Sequence, residues 1–367
     1  MNSDAMMTLD VAALHHNLLA VRQTAPQSRI MAVVKADAYG HGLQYLWPYF
    51  ARDVEGMAVA RVSEAVELRQ FGYKGVALVL SGFDDADDLR AIDEHRLQTV
   101  IHHPRQVALL TKTTLKYPLT VWLKIETGMH RLGLVAAEVA AAYHQVKTHP
   151  QVANIILMTH FASSENTDKI ITHKQIDAFQ HIIKPYSEPC SLSNSAGILA
   201  FPETRLQWVR PGFMMYGGSP FIPPENKSHL QAVMRLTAPI KAIRTIQAGD
   251  AVGYGGTFVA QESMTIAIVG IGYGDGYPRL LPNGAPVWLN GKMAKMVGRI
   301  SMDSLMIDVS GHNDVVVGQR AILWGPELPV EAVARYAETD PRELLCKMGI
   351  HRVQRKIIGD NNGTNDR

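Results

Sequence analysis

Cysteine is scarce in this chain, with two among 367 residues, Cys190 and Cys346. Neither falls in a CxxC or Cys/His spacing, so no metal site is expected. Each sits in an apolar stretch, which reads as the setting of a buried free thiol. An excess of charge of one sign is also missing. There are 36 basic and 34 acidic residues and a formal charge of +2. That balance asks for neither nucleic acid nor an acidic membrane surface as a partner. No apolar run approaches the ~20 residues of a membrane span, so no membrane partner is expected. Residues 1–10 lack a basic segment followed by an apolar one, so the expected compartment is cytoplasmic. There is no GxGxxG loop after a strand and no P-loop, which removes the common dinucleotide and nucleoside-triphosphate fingerprints.

What is present is material for a core. The chain is 47% hydrophobic and 19% charged, a composition that suits a globular protein. Short apolar, β-branched runs alternate with amphipathic segments over the first two thirds. The runs are 30–35, 56–60, 76–81, 98–102, 119–125, 154–161, 190–195 and 207–211. Near-continuous apolar strands suit a parallel sheet covered on both faces. Eight β/α units point to an α/β fold, a (β/α)8 TIM-type barrel, spanning residues 9–230. In the segment Ser63–Gly72, Ser63 reads as the N-cap, Glu64 and Glu67 complement the positive helix end, and Gly72 supplies the stop.

After about residue 230 the rhythm changes. Segments 233–247, 264–271, 286–298, 303–309, 319–324 and 351–358 read as strands, joined by turns such as Asn290-Gly291. One helix is expected over 329–348. Residues 231–367, together with 1–8, are thus expected to form a mainly β C-terminal domain, ending in a frayed polar tail, Gly359–Arg367.

Polar residues gather where the barrel strands end. Lys35 closes the first, Lys124 the fifth with Arg131 just beyond, and His160 the sixth. Asn194 and Ser195 close the seventh, and Arg210 and Gly212 the eighth. Barrel enzymes build their sites at these carboxyl ends, with a phosphate site often after strands 7 and 8. No paired-carboxylate constellation stands there, which argues against a sugar-phosphate barrel enzyme. A lysine ending an apolar strand is poorly solvated, which favours its neutral amine. Such an amine can condense with an aldehyde cofactor. The plain alternative is a lysine that snorkels from a strand end.

The segment Ala32-Val33-Val34-Lys35-Ala36-Asp37-Ala38-Tyr39-Gly40-His41-Gly42 resembles the pyridoxal-phosphate attachment segment of the alanine racemases, a family of fold-type III pyridoxal-phosphate enzymes. Further blocks match in order and spacing: Lys124–Gly133, Ser193–Gly197, Arg210-Pro211-Gly212, Gly253–Thr257, Gly272–Gly276 and Gly298–Asp303. Each is modest alone; together they are specific.

The resemblance implies a barrel and β domain paired as a homodimer, in which each active site takes its second half from the partner's β domain. It implies interconversion of L- and D-alanine, with D-alanine supplied for bacterial peptidoglycan. Lys35 would carry pyridoxal 5'-phosphate and act as the base on one face of Cα. Tyr254 of the other subunit would be the base on the opposite face, since racemisation takes a proton from one face and returns it to the other. A free phenol holds its proton near neutral pH, so a hydrogen-bonding neighbour is needed, and His160 matches it. Arg210 matches an arginine facing the pyridine nitrogen, where most pyridoxal enzymes place a carboxylate. Tyr39, Ser195 and the backbone N–H groups around Gly212 and Phe213, from a helix start after strand 8, would bind phosphate. Arg131 and the partner's Met302 region would meet the substrate carboxylate. Tyr273 would line the mouth of the site or serve structure alone. Lys124 matches a lysine carbamylated in many members; the alternative is an unmodified lysine with a bound anion.

The chain departs from the family pattern in two places. Arg342 stands where a tyrosine usually caps the cofactor phosphate, and Ser191 stands where many members have histidine. A racemase of broader specificity, for serine or other polar or basic amino acids, is the alternative, and Arg342 keeps it open for acidic or polar substrates. A pyridoxal decarboxylase is disfavoured because neither cysteine lies in the Tyr254 block. A non-catalytic pyridoxal-phosphate carrier is disfavoured because it would need no second base.

Overall fold

The first strand, β1 (Met6–Asp10), does not enter the barrel. It pairs antiparallel with a long strand far along the chain and parallel with the last one, so the N-terminus is stitched into the second domain. Asp10 then caps the helix Val11–Thr24 by accepting from the amides of Ala12 and Ala13, and the barrel begins. In this computed structural model, residues 4–166, 168–221, 229–348 and 352–360 are described.

Eight parallel strands close the barrel: β2 (Arg29–Val33), β3 (Gly56–Val59), β4 (Val76–Val79), β5 (Gln98–Ile101), β6 (Leu119–Lys124), β7 (Val152–Met158), β8 (Cys190–Ser191) and β9 (Trp208–Val209). Closure is made by β9 on β2, with Arg29 opposite Trp208 and Ile30 opposite Val209. The near-continuous apolar character of these strands has its reason in the two faces they bury. Met31, Val33, Leu78, Val100, Trp122, Met158 and Trp208 fill the lumen, with the two tryptophan rings 5.5 Å apart. Ile30, Ala32, Val34 and their counterparts pack outward against the helices.

The second domain is an eight-stranded sheet. It is built from β1, β10 (Met234–Ile246), β13 (Met264–Val269), β14 (Pro286–Leu289), β15 (Lys292–Met296), β16 (Leu305–Asp308), β17 (Arg320–Trp324) and β18 (Gln354–Ile358). A separate two-stranded ribbon, β11 (Ala251–Val252) with β12 (Phe258–Val259), carries Tyr254 in its connecting turn.

Several local expectations are corrected. The helix expected to be capped by Ser63 starts at Val62 with Arg61 at the cap position, two residues earlier, because Glu64 Oε2 accepts from the backbone amides of Ala60 and Arg61 and supplies the cap that Ser63 was expected to give. The single helix expected over 329–348 is two, Val330–Tyr336 and Pro341–Lys347. Pro341 has no N–H to continue the first and drives Asp340 into extended geometry, where its carboxylate caps the second. Cys346 is half-buried rather than buried. The tail begins tied down, since Tyr49 donates to Asp360 Oδ2 at 2.9 Å; residues 361–367 lie outside those described.

The second helix matters for the site because it packs on the turn that follows β2. At Gly40 φ is +76°, and a Cβ there would lie 2.0 Å from the Leu345 carbonyl oxygen. Gly40→Ala is therefore expected to destabilise the protein by roughly 2–4 kcal/mol, through strain and backbone collision together. Urea unfolding measures this, and an unchanged midpoint would show that the two segments do not meet as described.

Candidate active site

Strand β2 ends at Val33, two residues before Lys35, so the lysine opens a turn rather than closing the strand. The backbone after it is unusual. Ala36, Asp37, Ala38 and Tyr39 all have φ of 53–54°, a run of left-handed turn without a glycine. Each such residue costs about 1–2 kcal/mol, so the turn persists only because its surroundings fix it. The Ala36 amide donates to Glu64 Oε1 at 2.7 Å, and the Leu43 amide donates to Asp37 Oδ1 at 2.7 Å. Tyr39 packs against Tyr216 with ring centres 5.0 Å apart. The sequence marked Glu64 only as a helix-end charge; its role in holding the lysine turn becomes visible only in the fold.

Around Lys35 the charges are mostly of one sign. Burial first, and then the Arg131 guanidinium, lower the Lys35 ammonium below its usual range, with Glu64 opposing. Burial, Arg131 and Arg210 bring Lys124 down to about 8. Burial, with Arg210 and Lys124 next, holds His160 well below the usual imidazole range, so it is neutral near pH 7. Arg210 is buried and brought down to about 10 by burial, which still leaves it a cation near neutrality. Its fork is held by neutral oxygens. Nη1 donates to the Ser191 carbonyl at 2.8 Å and to Ser191 Oγ at 2.5 Å, while Nη2 donates to the carbonyls of Thr159 at 2.6 Å and Leu192 at 3.3 Å. Ser191 thus grips the arginine directly.

A second group forms beside it. Ser195 does not end a strand; β8 stops at Ser191, and Ser195 starts the helix Ser195–Ala200, which Asn194 caps. Its Oγ accepts from the amides of Gly212 at 3.0 Å and Met214 at 3.3 Å. Residues Phe213–Tyr216 form a 3-10 turn rather than the start of an α-helix. A Cβ on Gly212 would come within 2.7 Å of the Tyr39 hydroxyl, so only glycine lets these groups converge. Burial, the largest influence, raises the Tyr39 phenol to about 12, which keeps it a donor.

Of the residues singled out in the sequence, Lys35, Lys124, Arg131, His160 and Arg210 gather at one end of the barrel, with Tyr39, Ser195, Gly212 and Phe213 beside them. The other three lie on the β domain. Tyr254 is 73% exposed, Met302 52% and Tyr273 39%. The last two share one knot, in which the Tyr273 amide donates to the Ser301 carbonyl and the Gly274 amide to the Met302 carbonyl. Gln175 was missed. Its Nε2 donates to Thr127 Oγ1 at 3.2 Å and to the His160 carbonyl at 3.1 Å, and its Oε1 accepts from Ala162. It lies on the buried face of its helix with Thr172, Ile176 and Phe179, and a glutamine in that apolar stripe was the available signal. Among the described residues no group of three His, Cys, Asp or Glu side chains is placed to hold a metal ion.

A closed parallel barrel that gathers a desolvated lysine, other cations and a cluster of neutral donors at one rim is the architecture of a barrel enzyme with an amine-centred, anion-seeking site. Residues 9–220 match the model of the alanine racemase N-terminal domain, and residues 233–357 that of the alanine racemase C-terminal domain. The chain is 43% identical over 342 residues to an alanine racemase of Nitrosococcus oceani, covering 93% of this chain and 96% of the relative. To that of Nitrosospira multiformis it is 45% identical over 349 residues, covering 95% and 97%. Among solved structures, biosynthetic alanine racemase from Pseudomonas aeruginosa superposes with a TM-score of 0.94 at 36% identity, covering 97% of this chain and all of that one. Alanine racemase from Bartonella henselae, with covalently bound pyridoxal phosphate, gives 0.88 at 28% identity, covering 97% and 100%. The chain belongs to the alanine racemase family, a family of isomerases.

The depressed lysine makes stability depend on pH. Between about pH 8 and the ordinary lysine value the unfolded chain carries a proton at position 124 that the folded chain lacks. Stability of the cofactor-free protein should therefore rise with pH across that window. Urea midpoints in bicarbonate-free buffer test this: Lys124→Met should flatten the rise, and an identical slope in both proteins would show that Lys124 is not the group responsible.

Proposed function

We propose that this chain interconverts L-alanine and D-alanine with pyridoxal 5'-phosphate as cofactor. The observation that carries the reading is the half-buried Lys35 amine, depressed by burial and Arg131, on a rim that lacks a carboxylate against Arg210. The residues present fit the cofactor. Lys35 is the amine for its aldehyde. The Ser195 hydroxyl, the backbone N–H groups around Gly212 and Phe213 and the Tyr39 hydroxyl are the donors for its phosphate, and Arg210 is the partner for its ring nitrogen. When bound, the cofactor supplies an electron sink that acidifies the substrate's Cα proton.

The chain's own groups do the rest. Lys35 Nζ, whose hold on its own proton is weakened by burial and Arg131, removes the proton from D-alanine on one face of Cα. Tyr254 of the partner subunit returns a proton on the other face, and takes it when the reaction runs from L-alanine. Neutral His160 accepts the hydrogen bond that helps this phenol release its proton. Arg210, a cation near pH 7, would disfavour protonation of the ring nitrogen, which favours return of the proton to Cα and so racemisation over transamination. Arg131 and the partner's Met302 region receive the substrate carboxylate, and Tyr273 lines the mouth. Lys124, brought down to about 8, is available as a free amine to add to carbon dioxide, losing one proton and becoming a carbamate. That anion would turn the Lys124–Arg131 repulsion into an attraction.

Membership of the family supports a homodimer with shared sites, and the exposure of Tyr254 and Met302 leaves both free to reach a second copy of the chain. The domain division at about residue 230, with residues 1–8 in the second domain, is supported by the pairing of β1 with β10 and β18. No helix among the described residues is long and apolar enough to cross a membrane, which is compatible with a cytoplasmic enzyme that feeds D-alanine to peptidoglycan. Alanine is favoured over serine or basic substrates by the names of the relatives.

Lys35→Ala should abolish racemisation in both directions. Tyr254→Phe should slow proton loss from L-alanine far more than from D-alanine, as read by solvent deuterium incorporation; equal losses would contradict the two-base assignment. Mixed Lys35→Ala and Tyr254→Phe subunits should recover part of the activity in one of the two sites. No recovery from proven heterodimers would mean self-contained sites.

A further inference from the structure

One cation at this end of the molecule has no part in the roles above. Arg342 lies in the first turn of the helix Pro341–Lys347. Its Nε donates to Asp340 Oδ1 at 2.7 Å and its Nη2 pairs with Asp340 Oδ2. Its guanidinium carbon lies 5.7 Å from the centre of the Phe213 ring, and Phe213 follows Gly212 in the donor cluster. Arg342 also acts electrostatically on both Lys35 and Tyr39, and Glu165 acts on Arg342. The guanidinium is thus near the phosphate donors and held by a carboxylate.

The donors assigned to the phosphate, namely the Ser195 hydroxyl, the amides around Gly212 and Phe213 and the Tyr39 hydroxyl, are all neutral. A phosphate dianion gains most from a charged fork that can bind it through two parallel N–H bonds. The pair Arg342 makes now is two-pronged but open to water, its side chain and that of Asp340 being 50% and 44% exposed, and a phosphate dianion offers the same fork twice the charge of a carboxylate. Asp340 also has a separate task that does not need the guanidinium. Its Oδ1 accepts from the Arg342 backbone amide at 2.8 Å and caps the helix. The side chain can leave without uncapping the helix.

We propose that Arg342 is a swinging cation that joins the cofactor's phosphate, with Asp340 as its resting partner, and that it sets how strongly the protein selects phosphorylated pyridoxal over pyridoxal itself. The inference rests on the cofactor reading above. It gives the departure at position 342 a function in cofactor capture.

The test is equilibrium titration of the cofactor-free full-length protein with pyridoxal phosphate and, separately, with pyridoxal, followed by absorbance. Arg342→Gln should weaken pyridoxal phosphate binding roughly 10- to 100-fold and leave pyridoxal binding within about twofold. Equal weakening of both ligands, or of neither, overturns the proposal. Arg342→Lys, which keeps the charge and loses the fork, should fall between wild type and Arg342→Gln for pyridoxal phosphate alone, and supplies the same comparison if Arg342→Gln does not fold. Asp340→Asn preserves a capping side chain while loosening its hold on Arg342, so it should raise affinity for pyridoxal phosphate; no gain, or a loss, contradicts the resting-partner role. Wild-type protein that binds neither compound would overturn the cofactor reading itself.

Discussion

The site is governed by the burial of positive charge. Lys124 and Arg210 are buried and Lys35 half-buried at one end of the barrel, with the exposed Arg131 beside them, and burial is the first cause of every depressed value among Lys35, Lys124 and Arg210. Taking like charges out of water is costly, and bringing them together costs more. The protein meets that cost in two ways. It lowers the affinity of its lysines for protons, which yields amines, and it spreads neutral oxygens around Arg210, which must remain charged. What is left is a demand for anions. A phosphorylated cofactor and a carboxylate substrate would both supply them, so the same electrostatics that lower the Lys35 pKa would also draw in the partners proposed for it.

Holding that arrangement requires a stiff frame. The left-handed turn at Ala36–Tyr39 is strained, and it is pinned by Glu64 from the next β/α unit and by the helix Pro341–Lys347 from the second domain. Gln175 ties the Thr127 and His160 segments together. The second domain therefore shapes its own chain's lysine turn through one surface, while another carries Tyr254 and Met302 outward. A dimer with shared sites would use both surfaces at once.

How much of this was legible beforehand follows from what each feature depends on. The barrel could be read because each strand buries two faces and so writes a continuous apolar run. The rim could be read because lysine, arginine and histidine directly after such runs have few structural reasons to be there. Boundaries were less legible where hydrogen bonding rather than apolarity decides them. β8 is two residues long although the run was expected to reach residue 195, because Asn194 turns the chain into a helix. The ribbon β11–β12 and the strand β1 were not expected as strands, being short or paired only with distant segments. The left-handed turn had no signal at all, since its residues are alanine, aspartate and tyrosine rather than glycine, and long-range contacts impose it. The break at Asp340-Pro341 was present in the sequence and was outweighed by the apolar pattern on either side.

The central proposal is that Lys35, and not the likewise depressed Lys124, is the amine placed to take the cofactor's aldehyde. Its most direct test is borohydride reduction of the pyridoxal-phosphate-loaded protein, followed by peptide mapping. The account predicts one phosphopyridoxyl group on the peptide that contains Lys35. A label on Lys124, or one scattered over surface lysines, would contradict it.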